Sequence, residues 1–294
     1  MRGCRVLDLI LAQAVNGLVL GFVFVLIAVG LSVIFGLLGI VNFAHGAFFA
    51  LGAYFAVTLH AQFGWWAVAL APVGVGLVGA VLEVTLIRRL YGREPLTVIV
   101  LTFALSLFIE AIIRLIWGTG SQSFSAPPFL RGIVEWGPIL ITNYRVAVMA
   151  VTVALLALLG LFLVFTPFGR ILRAGSRDPE MIGLLGINFP RVLTGAFGIG
   201  CLLAGVAGLL AAPLWSVTPS MAAGAIMPAF VVVTIGGLGS YAGAIVAGLL
   251  VGLVTGLAVQ FWPEASSVAM YVLMALVLLL RPRGLLGERW ERFE

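Results

Sequence analysis

The chain contains no lysine; all sixteen of its basic side chains are arginines. Without lysine it cannot build the Gly-x-x-x-x-Gly-Lys-Ser/Thr loop that cradles nucleotide phosphates, so no ATP chemistry is expected from this chain itself. Histidine is nearly absent too, with only His45 and His60, too few for a metal site on one helix face. Neither a His-Glu-x-x-His zinc motif nor a Gly-x-Ser-x-Gly nucleophile elbow occurs. A serine in Gly237–Ser240 would need a histidine from a later helix, and none follows His60. Cys4 and Cys201 are far apart and have neither zinc nor redox spacing. No catalytic or metal-ligating set, and no cofactor held by this chain, is therefore expected.

Charge is scarce as well. Charged residues make up 9% of the chain, against about 25% in soluble domains. A net charge of +5 could suggest nucleic acid. The arginines instead cluster at the ends of apolar runs, as the positive-inside rule requires, so nucleic acid is not expected as a partner. No series of acids is spaced along the runs, which disfavours a proton-coupled carrier.

What is abundant is apolar. Hydrophobic residues reach 63% and the mean hydropathy is +1.23. A helix needs about 20 apolar residues to cross the hydrocarbon core, and such runs recur from one end to the other. Short alternating segments of the β-barrel type are missing. The expected fold is all-α: a single polytopic transmembrane bundle over residues 1–294, with about eight helices and Gly-broken segments, solvated by membrane lipid. The 37 glycines suit close helix packing and breaks at membrane depth.

The first run covers Leu9–Leu38 and is expected to be an uncleaved span, its glycines marking either close packing or an interruption. The polar tract Val41–Gly46 follows, then runs over Ala47–Leu59 and Ala67–Ile87. His60–Trp66 reads as an interfacial turn. Arg88, Arg89 and Arg93 mark an inner loop. A helix over Leu96–Trp117 leads to an outer loop of about 118–143, and Tyr144–Phe165 returns to the inside. The Arg-rich loop of about 166–191 is then inner. Val192–Ala212 goes out, and Pro213–Ala225 is outer. Ile226–Phe261 is too long for one span and is broken at Gly236–Ser240. Trp262–Ser267 turns outside, and the last helix ends at Arg281, which places the C-terminus inside. The Arg88, Arg170 and Arg281 clusters then share one side. Three spans before Arg88 would put the N-terminus outside; a break in the first run would put it inside.

Two regions attract functional interest. In Ala174–Asn188, Ser176 or Asp178 can cap a short helix with Pro179 in its first turn. Met181, Ile182, Leu184 and Leu185 would form an apolar face, ended by Gly186 and Asn188. Such a helix suits a groove on a soluble partner, or the headgroup plane. At the helix break, Asn42 and His45 either satisfy freed backbone groups or line a pathway. Glu110 and Arg114, four residues apart, suit a structural ion pair, and Glu83 suits an interfacial charge near Arg88.

Asn16–Gly21 (NGLVLG), Gly36–Gly46 (GLLGIVNFAHG), Arg173–Asn188 (RAGSRDPEMIGLLGIN) and Gly236–Ala244 (GGLGSYAGA) together resemble the LivH-type permeases of branched-chain amino acid ABC importers, in order and over nearly the whole chain. The resemblance implies a multi-pass subunit of a bacterial or archaeal inner membrane. It implies a LivM-like second permease, two cytoplasmic LivG/LivF-like ATPases that hold ATP and Mg, and a periplasmic or lipid-anchored solute-binding protein. Arg173, Ser176, Arg177, Asp178, Glu180, Met181, Leu184, Leu185 and Gly186 would couple to the ATPases. Asn42, His45, Gly46, Thr234, Gly236 and Gly237 would belong to the translocation pathway. Many relatives carry an acid where Ala47 stands and a lysine near Pro228. That difference leaves urea or short amides, aromatic carboxylates and other amino acids open as solutes.

Overall fold

The computed structural model of the chain describes residues 2–39, 41–136 and 139–287, with side chains described throughout except at 2–7, 136, 139, 177, 179 and 180. Helices dominate: α1 Arg2–Leu38, α2 His45–Phe63, α3 Ala71–Thr85, α4 Pro95–Trp117, α5 Asn143–Phe165, α6 Pro167–Arg177, α7 Pro179–Leu184, α8 Phe189–Ala211, α9 Met221–Gly236, α10 Tyr241–Phe261 and α11 Ser266–Leu280. Among the described residues, eight helical stretches are long and apolar enough to cross a membrane, and α9 is a shorter apolar helix. This is the expected all-α bundle, and the chain is a multi-pass membrane protein.

The sequence punctuates these helices locally. Pro95, Pro167 and Pro179 stand at first helical positions, where a missing N–H costs nothing. Thr166 caps α6 through Gly169 N–H at 3.1 Å, and Ser240 caps α10 through Gly243 N–H at 3.1 Å. The break at Gly236–Ser240 lies where the sequence puts it, because α9 ends at Gly236 and α10 starts at Tyr241. Of the two readings of the first run, the close-packed one holds and the interrupted one does not: α1 is one helix of 37 residues. Its glycines serve packing instead. A Cβ on Gly17 would stand 2.6 Å from the Gly252 carbonyl oxygen, and one on Gly21 3.0 Å from that of Gly248, so α1 and α10 touch backbone to backbone.

Two stretches read as loops carry structure. Within 118–143, Ile133–Trp136 (β1) and Ile139–Thr142 (β2) form an antiparallel hairpin. Within 166–191 there are two helices, α6 and α7, where one was expected. Helix α6 buries Leu172 against Val192 and Ala196 of α8 and exposes Arg170 and Arg173.

The core lies around α1, α2, α8 and α10, whose small residues are buried, while α4, α5 and α11 turn Phe103, Phe108, Leu158, Leu161, Leu279 and Leu280 outward as a lipid-type surface. All three Arg clusters sit at one end of the bundle. Arg88 bonds to Pro190 at the start of α8, Leu37 packs with the α6 face, and the turn after Arg281 bonds to Ile235 and Gly236 beside the break. Trp117, Trp65 and Phe124 gather at the other end, where the Trp117 indole N–H donates to Thr58 at 2.7 Å. The common side expected from the sequence is thus a common end in space.

Candidate functional site

Residues 41–44, which lead into α2, lie inside the bundle. Phe43 N–H donates to the Thr102 hydroxyl of α4 at 3.3 Å, and the Phe43 ring meets Phe103 edge-on at 6.3 Å. His45 opens α2, and its Nε2 donates to the Ile27 carbonyl of α1 at 3.1 Å. Ile27 is about 16 Å along the helix from Leu38, at 1.5 Å per residue, so the break sits at membrane depth. Asn42 Oδ1 accepts from Ala44 N–H at 3.1 Å. Asn42 and His45 are both buried, and Asn42 Nδ2 and His45 Nδ1 have no partner among the described residues. Gly46 packs against the first turn of α9, where a Cβ would stand 2.9 Å from the Ile226 side chain. Ala47 and Pro228 are buried in α2 and α9.

The second break lies at the far end of α9. The Thr234 hydroxyl donates back to Phe230 O at 2.8 Å. Gly237 has φ +100°, a conformation that glycine adopts without strain. A strap following Arg281 covers it, as Leu285 N–H donates to Ile235 O at 2.8 Å and Leu286 N–H to Gly236 O at 3.0 Å. These bonds satisfy the last carbonyls of α9. The six residues that the sequence reading assigns to a pathway therefore form two groups. Asn42, His45 and Gly46 lie together at the start of α2, where Gly46 packs on the start of α9, while Thr234, Gly236 and Gly237 lie at the end of α9, about 15 Å away along the axis.

The α6–α7 region agrees with the sequence reading in some residues and departs from it in others. Asp178 caps α7, accepting from Met181 N–H at 2.9 Å. Ser176 does not cap; its hydroxyl donates to Arg173 O at 2.9 Å. Met181, Leu184 and Leu185 are 52%, 82% and 67% exposed, whereas Ile182 is buried. The exposed apolar face is thus narrower than the sequence suggested. Gly186 has φ +74° and follows the end of α7, while Asn188 caps the next helix, α8, through Arg191 N–H at 3.4 Å. Arg173 donates to Val164 O at 3.4 Å. The side chains of Arg177 and Glu180 lie outside the described residues.

Beside this region is a cluster that the sequence reading did not assemble. Glu83 is fully buried, so it is the Arg88 side chain near it, as the sequence suggested, and not the headgroup layer that meets its charge. It pairs with Arg88 at 3.1 Å and accepts from Thr194 and Tyr91 hydroxyls, each at 2.7 Å. Burial first, then the Glu83 hydrogen bond and charge, hold the Tyr91 hydroxyl far above its ordinary pKa, so it stays a proton donor. The Glu110–Arg114 pair forms as the spacing predicts, at 2.5 Å.

Comparison with known proteins decides the class. Residues 13–280 match the family described as branched-chain amino acid transport system permease component. The chain belongs to this permease family. It is 31% identical to the high-affinity branched-chain amino acid transport system permease protein LivH of Escherichia coli K12, over 95% of this chain and 96% of that protein. It is 32% identical to BraD, the corresponding permease protein of Pseudomonas aeruginosa, with the same coverage. The LivM permease protein of Salmonella typhimurium is 30% identical over 90% of this chain and 68% of its own length. No solved structure matches the chain. The LivH-type resemblance seen in the sequence motifs is confirmed, and members of this permease family are transport subunits.

Proposed function

We propose that this permease is one half of the membrane pore of an ATP-driven importer of branched-chain or similar hydrophobic amino acids. The observation that carries the reading is alignment with LivH proteins over almost the full length of both chains. A LivM-like permease supplies the other half. A binding protein outside the cytoplasmic or inner membrane delivers the solute. Two cytoplasmic LivG/LivF-like ATPases bind ATP and Mg and dock around α7. The Arg-bearing end of the bundle faces the cytoplasm, as the positive-inside rule supports.

Within this scheme, α7 offers Met181, Leu184 and Leu185 to an ATPase groove, flanked by Arg173, Ser176, Arg177, Asp178, Glu180 and Gly186. Closure of the ATPases pushes α7 and switches a bistable bundle between inward- and outward-facing states. The two breaks, with Asn42, His45 and Gly46 at one and Thr234, Gly236 and Gly237 at the other, are places where helices can change register along the pathway.

The test is to purify the tagged chain from native membranes in mild detergent, identify what copurifies, and reconstitute it. Two ATPases, a second permease and a binding protein, with ATP-dependent leucine uptake, are expected. A chain that emerges alone or only as a homo-oligomer, with no ATP-dependent uptake, overturns the reading. Ligand screening of the copurified binding protein separates branched-chain amino acids from amides and aromatic carboxylates.

A further inference from the structure

We infer that Glu83 is a positioning residue that locks α3 to α8, so that the two helices carry a push on α7 into the bundle as one rigid body. The inference rests on the importer reading above.

The chain of contacts starts at α7. Ile187 N–H donates to Ile182 O at 3.3 Å, and Gly186 N–H to Gly183 O at 3.0 Å, so the link to α8 is short and folded. Ile187 and Phe189 pack with Leu172 and Val192, which fixes the start of α8 against α6. A displacement of α7 must therefore move the first turns of α8.

Those turns are where Glu83 acts. Its Oε2 accepts from the Thr194 hydroxyl at 2.7 Å and from Arg88 Nη2 at 3.1 Å. Its Oε1 accepts from Tyr91 at 2.7 Å and from Arg88 Nε at 3.3 Å. Arg88 also donates to Pro190 O at 3.3 Å and touches the Thr194 hydroxyl. One buried carboxylate thus receives four donors, and the guanidinium beside it grips the α8 backbone. Loss of the carboxylate would leave a cation and two hydroxyls without their shared acceptor, an arrangement that favours slippage.

Further along the same helix pair, the contact has little to slide on. A Cβ on Gly79 would stand 2.5 Å from Cys201 Sγ, one on Gly76 3.1 Å from Gly198 O, and one on Gly205 2.9 Å from Val75 Cβ. Beyond α3, α8 meets α1 at Gly30 and Gly200 and meets α2 at Gly52 and Gly205. The rigid pair therefore reaches both α1 and α2, the helices on either side of Asn42.

The experiment uses the reconstituted complex with its ATPases and binding protein, and leucine as probe. Leucine moved per ATP hydrolysed is measured for Glu83→Ala, Thr194→Val and Thr194→Ser. In Glu83→Ala and Thr194→Val this ratio falls by about tenfold, the scale of a coupling residue, while ATP hydrolysis persists. Thr194→Ser, which keeps the hydroxyl, retains the parent ratio. A structural role alone would lower assembly and hydrolysis together and leave the ratio unchanged, and that result overturns the inference.

A second measurement survives poor assembly of Glu83→Ala. Glu83→Cys with Thr194→Cys is made in a Cys4→Ser, Cys201→Ser background and joined by a short thiol cross-linker. If α3 and α8 move as one, the cross-linked complex transports leucine at least as well per ATP as the unlinked one. If cross-linking blocks uptake, the helices slide past each other and the inference fails. Failure of the importer reading looks different: the parent complex then shows no ATP-driven leucine uptake at all.

Discussion

Gly208 of α8 stands where the Phe49 carbonyl of α2 leaves no room for a methyl group. Side chains at such points do not merely weaken packing; they push two buried backbones apart. Gly208→Val should destabilise the bundle by about 1–3 kcal/mol, the usual cost of overpacking. Gly120, with open space around it, is the control, and Gly120→Ala should fall within about 0.5 kcal/mol of the parent, as surface changes do. Thermal unfolding of the two detergent-solubilised variants checks this; equal midpoints would show that α2 and α8 do not approach as described. Glu83 illustrates the opposite residue type. It is a costly buried charge made tolerable by an arginine and a tyrosine from the turn after α3 and a threonine from α8.

At the scale of the element, α7 is the most informative. It is only six residues long, so its end chemistry decides whether it exists. Asp178→Arg removes the cap on Met181 N–H, worth about 1 kcal/mol, and adds a cation at the positive end of the helix. Gly186→Pro imposes φ near −65° where the chain needs +74°. Both variants should insert and assemble yet hydrolyse ATP without importing solute. The check is uptake and ATPase activity on the same vesicles, and normal uptake in both variants removes α7 from the coupling role. Helix α6 makes a separate point: its residues are polar enough to read as a loop, but Leu172 and the capped Thr166 turn fold it against the ends of α5 and α8.

For the whole molecule, the unbroken α1 has a consequence for topology. Three helical passes, α1, α2 and the segment Trp65–Leu90, lead to the Arg88 cluster at the end of the third. With the Arg88 end of the bundle in the cytoplasm, as proposed, the Arg2 end of α1 is expected outside and the Arg281 end inside. A membrane-impermeant maleimide should therefore label Cys4 in intact cells whose outer barrier is permeabilised, while a tag after Glu294 stays protected. Cys201 is buried and should not react. Labelling of Cys4 only after the inner membrane is opened would reverse this arrangement.

Much of this architecture was legible from the chain itself. Hydropathy, helix caps, prolines and arginine clusters act within a turn or two of sequence, so they set where helices start, where α9 gives way to α10, and which end of the bundle is basic. The motifs around Asn42–Gly46 and Arg173–Asn188 also carry the family resemblance without reference to any tertiary contact. What the sequence could not settle depends on the rotation and depth of helices relative to one another. Thr194 meets Glu83 from 111 residues away, the strap after Arg281 reaches Ile235 and Gly236, and the residues of the two breaks settle at opposite ends of α9. Such contacts follow from how glycine-lined helices pack, a cooperative outcome of the whole bundle that no local pattern records, and only the tertiary structure decides it.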